Sequence, residues 1–364
     1  MSQSEIVKFE IIPCKDANKW NKIVKQFPHW DIYYLNEYAH SLEIHGDGEA
    51  YLVHFLYMSG NKECELCYTV MKKDIGGDER FSGLLVQGQW YDLETPYGYG
   101  GFLLRGDFSE NVRIIFESKM TAYARENMII SQFVRFYPVY RNDVPYSRLT
   151  NSKVQYLKDT IYVDTTSDEI IMKQMDSKNR NMVRKAIKLN ITVFHDKGKY
   201  LDEFIKIYEE TMKRNGASSY YYFGRAYYEY LLEYMQDNLE VFYSVYEDKI
   251  IGAAIFFYNQ EFMHYHLSGL YTEYRYTAAS NLLLYEAARW ACEKGIRLLH
   301  LGGGNEAEDS LFGFKKQFNK NGRLPFYVGR TIFDESGYRK LLEMRRQADC
   351  HFDENNSFMI QYRK

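Results

Sequence analysis

The stretch His300–Phe318, HLGGGNEAEDSLFGFKKQF, decides how this chain is read. An apolar run, Leu298, Leu299 and Leu301, stops in three consecutive glycines, Gly302, Gly303 and Gly304. The run predicts a strand, and the glycines leave bare backbone at its end. A polar segment then leads into Ser310-Leu311-Phe312-Gly313-Phe314-Lys315-Lys316, where aromatic rings and two ammonium groups sit together. That combination suits an anionic or peptidic ligand. The plain alternative is a tight strand-to-helix connection with a solvated lysine pair, and the surrounding sequence has to decide between them.

Working outward, 364 residues suffice for two domains with two buried cores. A net charge of -3 excludes a generally basic nucleic-acid binder but leaves room for a local basic patch. The longest apolar run, Ile250–Tyr258, falls short of the roughly 20 residues of a membrane helix, and MSQSEIVKFE has no leader character. A soluble, cytosolic protein is the expectation. Five scattered cysteines argue against a disulfide framework, and Cys64-x-x-Cys67 stands alone, so no metal site is expected. The 35 tyrosines suit either a ligand groove or an aromatic core.

From residue 200 the pattern is regular. Helices are expected over Tyr200–Asn215 and from about Arg225 to Gln236, then a three-strand meander VFYSVY, IIGAAIFFY and FMHYHLSGL. Ser280 is expected to cap a helix that ends at Gly295, followed by a strand Ile296–Leu301, a short helix and a strand Leu324–Phe333. The amino-terminal half repeats this order loosely. It offers a strand Phe9–Ile12, helices Ala17–Gln26 and Asn36–Ile44, a hairpin of Ala50–Met58 with Glu63–Met71, a helix Ser109–Glu126 and a strand Ile129–Phe136.

The glycine cluster followed by Leu-x-x-Phe-Lys resembles the carboxyl-terminal signature of the FemAB-like aminoacyltransferases, acyltransferases built on the GNAT fold, and the element order is similar to theirs. The implied fold class is α+β: two tandem GNAT-like domains, 1–160 and 161–364, each a mixed, mostly antiparallel sheet flanked by helices. Two further stretches carry the resemblance. Thr95-Pro96-Tyr97-Gly98-Tyr99-Gly100-Gly101 is similar to a loop that in this family faces the acceptor groove between the domains, which makes Tyr97 and Tyr99 substrate-binding candidates. Lys178–Lys188, KNRNMVRKAIK, puts Arg180, Arg184 and Lys188 at spacings of four on one helix face, with Met175, Val183 and Ile187 opposite. It resembles the family's phosphate-meeting helix, and guanidinium groups grip diphosphate bidentately. The helical arm that some relatives insert is absent between Asn215 and Phe242.

In GNAT enzymes the coenzyme A pyrophosphate rests on Arg/Gln-x-x-Gly-x-Gly/Ala before a helix. Here Arg275, Ala278 and Ser280 occupy those places, and alanine for glycine impairs close backbone approach. The resemblance therefore implies a transferase acting on an amine of a nucleotide- or lipid-linked peptidoglycan precursor, with aminoacyl transfer RNA or acetyl-coenzyme A as donor and no further cofactor. A lipid-linked acceptor would add peripheral membrane contact. Lys315 and Lys316 are the candidates for charge in the transfer step, Glu94 or Asp92 for a base, and Gly302, Gly303, Gly304 and Phe314 for substrate contact. His264 and His266, alternate residues of one strand, read as structural or groove-lining. The alternatives are an acetyl-coenzyme A-dependent N-acetyltransferase of surface polysaccharide synthesis and a non-catalytic binding protein of the same fold.

Overall fold

A computed structural model describes residues 5–364. They form two compact units, one made of the chain up to Leu157 together with Phe326–Lys364, the other of Lys158–Pro325. In chain order the strands are β1 (Glu5–Pro13), β2 (Glu49–Ser59), β3 (Lys62–Asp74), β4 (Tyr91–Glu94), β5 (Leu103–Gly106), β6 (Ile129–Arg135), β7 (Ser152–Asp164), β8 (Thr192–Asp196), β9 (Leu239–Tyr246), β10 (Lys249–Tyr258), β11 (Phe262–Leu270), β12 (Leu298–Gly302) and β13 (Arg323–Ile332).

In the first unit the order is β1-β2-β3-β4-β6-β13, with β5 beside β3. Its pairings are antiparallel except β4 with β6, which are parallel and joined by the helix Glu110–Glu126. The second unit runs β7-β12-β11-β10-β9-β8. It too has one parallel pair, β11 with β12, joined by the helix Ala279–Glu293. A parallel pair cannot be closed by a tight turn, so both units need a long crossover at the same place. The α+β class holds, and the repetition of element order is real.

The domain limits differ from the expected 1–160 and 161–364. β7 follows the first set of elements, yet its residues Ile161–Asp164 pair with β12. β13 follows the second set, yet Val328–Ile332 pair with β6. Each sheet is thus completed by a strand that comes late for one set and early for the other. Residues 326–364 accordingly pack with the first unit.

The core of the first unit gathers Phe55, Tyr68, Phe102, Phe116 and Tyr146, that of the second Phe242, Phe256, Met263, Leu283 and Leu299. In β10 every residue from Ile251 to Phe257 is buried, the continuous apolar run of a strand covered on both faces. Ten tyrosines, among them Tyr34, Tyr137, Tyr208 and Tyr243, are fully buried, so much of the tyrosine excess is core. Among the described residues no helix is long and apolar enough to cross a membrane. Between Asn215 and Phe242 lie two short turns, Ser219–Tyr221 and Gln236–Asn238, and between them the helix Arg225–Tyr234.

Candidate functional site

The bend after β12 is held by two lysines. Gly302 has φ +72°, and pairing with β7 slips between His300 and Gly302. A side chain at Gly304 would run into Asp309 Oδ1, so the close approach demands glycine. Asp309 is the cap of the helix Ser310–Lys316. Its Oδ1 accepts from Phe312 N at 2.7 Å, and Oδ2 from Asn305 N at 2.7 Å and Glu306 N at 3.1 Å. One carboxylate therefore ties loop and helix together. Lys315 Nζ donates to Gly303 O at 2.7 Å, and Lys158 Nζ to Gly304 O at 2.6 Å and Asn305 O at 2.9 Å.

Lys315 is buried, and its ammonium is 5.9 Å from the Tyr265 ring centre. Burial, aided by the charge of Lys158 and opposed by Asp309, pushes its pKa down to about 7. Lys158 is also lowered by burial. Nothing in the sequence singled out Lys158: it sits mid-strand, 146 positions from its acceptor. Lys316 and Phe314 are half-buried, and the Phe314 ring lies 5.5 Å from Phe318.

Behind the bend, His300 Nε2 lies 2.9 Å from Thr160 Oγ1, and its ring meets His264 at 5.7 Å. Burial holds His300 well below the usual imidazole range and His266 at about 3, so both are neutral. Tyr227 OH and His266 Nε2 are 2.9 Å apart.

The basic helix Ser177–Lys188 is capped by Asp176 and buries Asn179, Val183 and Ala186. Ile187, expected on its apolar side, is exposed. Arg180 donates to the carbonyls of Met175 and Met172, at the end of the preceding helix Asp168–Gln174. Arg184 and Lys188 are exposed, with Arg184 Nη1 3.2 Å from Asn181 Oδ1. The row of three therefore presents two outward cations and one that is engaged locally.

The helix over Ala279–Glu293 begins one residue before the expected cap Ser280, and it has no side-chain cap. Ala278 adopts φ +61°, the left-handed conformation that glycine favours. The loop thus turns through a left-handed residue that carries a methyl group. Arg275 is exposed, and Asn281 Nδ2 donates to Asn179 Oδ1 at 2.7 Å, tying this helix to the basic one.

Asp92, Glu94, Tyr97 and Tyr99 belong to the first unit, the other candidates to the second. Tyr97 and Tyr99 are half-buried. Tyr38 OH donates to Tyr97 O at 2.5 Å, and Asn142 Nδ2 to Gly100 O at 2.7 Å. Gly98 has φ +104°, and a side chain there would meet the Tyr33 ring at 2.5 Å. Tyr99 lies edge-on to Tyr33 at 5.8 Å and to Phe326 at 5.3 Å.

Glu94 is clamped between Lys73 Nζ at 2.6 Å and Arg363 Nη1 at 2.6 Å. Despite burial, these two cations and Arg135 hold its carboxyl far below the usual carboxylate range. Such a group is a weak proton acceptor, and its geometry is that of a structural ion pair. Asp92 is similarly occupied, by Tyr362 OH at 2.6 Å, Ser131 Oγ at 2.7 Å and Arg363 Nη2 at 2.9 Å.

Residues 173–316 match the family described as acetyltransferase (GNAT) domain. Over that stretch the chain is similar to the GNAT acetyltransferase domain, and solved structures share its tandem GNAT fold. The crystal structure of FemX, 13% identical, matches with a TM-score of 0.65 over 92% of this chain and 99% of that one. A tandem GNAT protein from the clavulanic acid biosynthesis pathway, 8% identical, matches at 0.50 over 90% and 100%. The carboxyl-terminal domain of a putative lysylphosphatidylglycerol synthetase from Agrobacterium fabrum, 12% identical, matches at 0.52 over 89% and 92%. No curated protein sequence matches. At such identities the solved structures speak for the tandem GNAT fold alone.

Proposed function

We propose that this GNAT-fold chain transfers an aminoacyl group to an amine of a nucleotide- or lipid-linked cell-wall precursor. The observation that carries the reading is Lys315, a buried ammonium held on the carbonyl of Gly303 with its pKa near 7. Acyl transfer to an amine requires a neutral, aimed nucleophile and donors for the oxyanion that develops on the carbonyl. In this mechanism the Lys315 ammonium turns from Gly303 O to the oxyanion, while Lys158 keeps the loop in place. Arg184 and Lys188 meet the diphosphate of the precursor. The FemAB-like motifs support the cell-wall acceptor, and aminoacyl transfer RNA is the corresponding donor.

A second donor is favoured by Ala278. Its left-handed turn leads into the uncapped start of Ala279–Glu293, where free backbone N–H groups suit a pyrophosphate, with Arg275 and Ser280 close by in sequence. A bound thioester would supply the activated acyl group. The acceptor in that case is an amino sugar of a surface polysaccharide.

The test is transfer of labelled amino acid or acetyl from each donor to muropeptide and amino-sugar acceptors. We expect Lys315→Met to lower turnover on the accepted pair about a hundredfold, the usual cost of one oxyanion donor. Full turnover in that variant would remove Lys315 from the mechanism. Titration with acetyl-coenzyme A discriminates the donors: micromolar binding lost in Ala278→Glu selects the thioester, and its absence selects the aminoacyl ester.

A further inference from the structure

Among the described residues Cys14, His40 and Glu43, all in the first unit, bring a thiol, an imidazole nitrogen and a carboxylate oxygen within 4.8 Å of one another. Cys14 opens the turn Cys14–Asp16 after β1, and His40 and Glu43 lie one turn apart on the helix Asn36–His45. Spacing of three puts both on one face. His40 Nδ1 is 2.6 Å from Glu43 Oε2, and Glu43 Oε1 accepts from Ala50 N at 2.7 Å. Asn36 Nδ2 donates to Cys14 O at 2.7 Å and lies 3.4 Å from Sγ. Glu37 Oε1 accepts from Asn21 Nδ2 at 2.6 Å, while Oε2 is shielded from solvent and makes no hydrogen bond.

Two carboxylates on the helix beside a thiol form a neighbourhood that welcomes a cation, and a bound cation favours the thiolate as its ligand.

We propose that Cys14, His40 and Glu43 bind a divalent cation of borderline-soft, zinc-like character, with water in the fourth position. Sulfur and imidazole ligands select this class over magnesium or calcium. Ligands about 2.0–2.3 Å from a tetrahedral ion stand roughly 3.4–3.7 Å apart, so shifts of about 1 Å suffice, His40 Nδ1 and Glu43 Oε2 moving apart and the thiol moving in. On binding, the Cys14 S–H proton leaves to solvent and the sulfur–metal bond replaces it, and the proton shared by His40 Nδ1 and Glu43 Oε2 moves to the other ring nitrogen or to solvent, so that a nitrogen lone pair and a carboxylate oxygen face the ion. The unpaired Glu37 oxygen adds charge that the ion offsets. The same helix carries Tyr38, whose hydroxyl holds Tyr97 O, so the ion would stiffen the support of the Thr95–Gly101 loop.

Cobalt(II) titration of the full chain tests this, in a Cys350→Ser background that removes the exposed thiol beside His351. The expected result is one equivalent bound with thiolate-to-cobalt charge-transfer absorption, displaced by zinc(II). The band disappears in Cys14→Ser, and affinity falls at least about tenfold in His40→Gln and Glu43→Gln, since even an outer partner of a ligand is worth that much. Glu43→Gln retains an acceptor for Ala50 N, so that variant isolates the cation from the fold. No band in the parent, a band that survives Cys14→Ser, or unaltered affinity in both glutamine variants would each overturn the site.

Discussion

Lys315 stands as an ammonium where its surroundings oppose the charge, and this gives the protein a pH signature. Its folded pKa is about 7 against 10.5 without burial. Between those values the unfolded chain binds a proton that the folded chain does not, so stability rises with pH. Below about 7 both states are charged and the full penalty of burying the charge applies. We expect unfolding free energy to gain up to about 1.4 kcal/mol per pH unit from this residue between about pH 7 and 9, and Lys315→Met to lose that slope in denaturant titrations. Turnover should move oppositely, declining as pH rises past about 7, because the ammonium is the active form. A pH–rate profile in which Lys315→Arg keeps that decline would assign it elsewhere. Gly304 offers a second check at this scale. Gly304→Ala forces the new methyl group into Asp309 and should destabilise by roughly 1–3 kcal/mol in the same assay, as overpacking does.

Among the elements, the basic helix separates structure from binding. Arg180 satisfies carbonyls at the end of Asp168–Gln174, whereas Arg184 and Lys188 face solvent. Arg180→Met should therefore cost about 1–2 kcal/mol of stability, while Arg184→Ala stays within about 0.5 kcal/mol. Calorimetry with a diphosphate-bearing precursor should show the reverse order, Arg184→Ala losing more affinity. Periodicity made this helix legible, along with the meander β9–β11 and the crossover helix after it, since their apolar spacings are strong and local. It did not reveal β7, where Lys153, Lys158 and Asp159 interrupt the alternation, or the helix Glu335–Ala348. The site was legible in part for the same reason. The glycine bend and Lys315 are adjacent in sequence, but Lys158 comes from 146 positions away and Arg363 reaches Glu94 across 269. No spacing rule spans such distances, so Glu94 read as a candidate base with neither of the two cations that hold it in view.

For the whole molecule, the carboxyl-terminal tail belongs to the stability of the first unit. Arg363 and Tyr362 together satisfy Asp92 and Glu94, which are both buried. Arg363→Met leaves two buried carboxylates with less compensation and should cost about 3–5 kcal/mol, much of it restored by adding Glu94→Gln. A double-mutant cycle by thermal or chemical unfolding checks the coupling.

The exchange of β7 and β13 between the two sets of elements also fixes an order of events in time. While the chain is being synthesised, β6 has no partner on one side until Val328–Ile332 emerge, after the entire span Lys158–Pro325. At about 5–20 residues per second that wait is on the order of ten to thirty seconds, during which a sheet edge remains unpaired. The amino-terminal half thus exposes an unpaired edge during its own translation, and the second unit is the one able to close first.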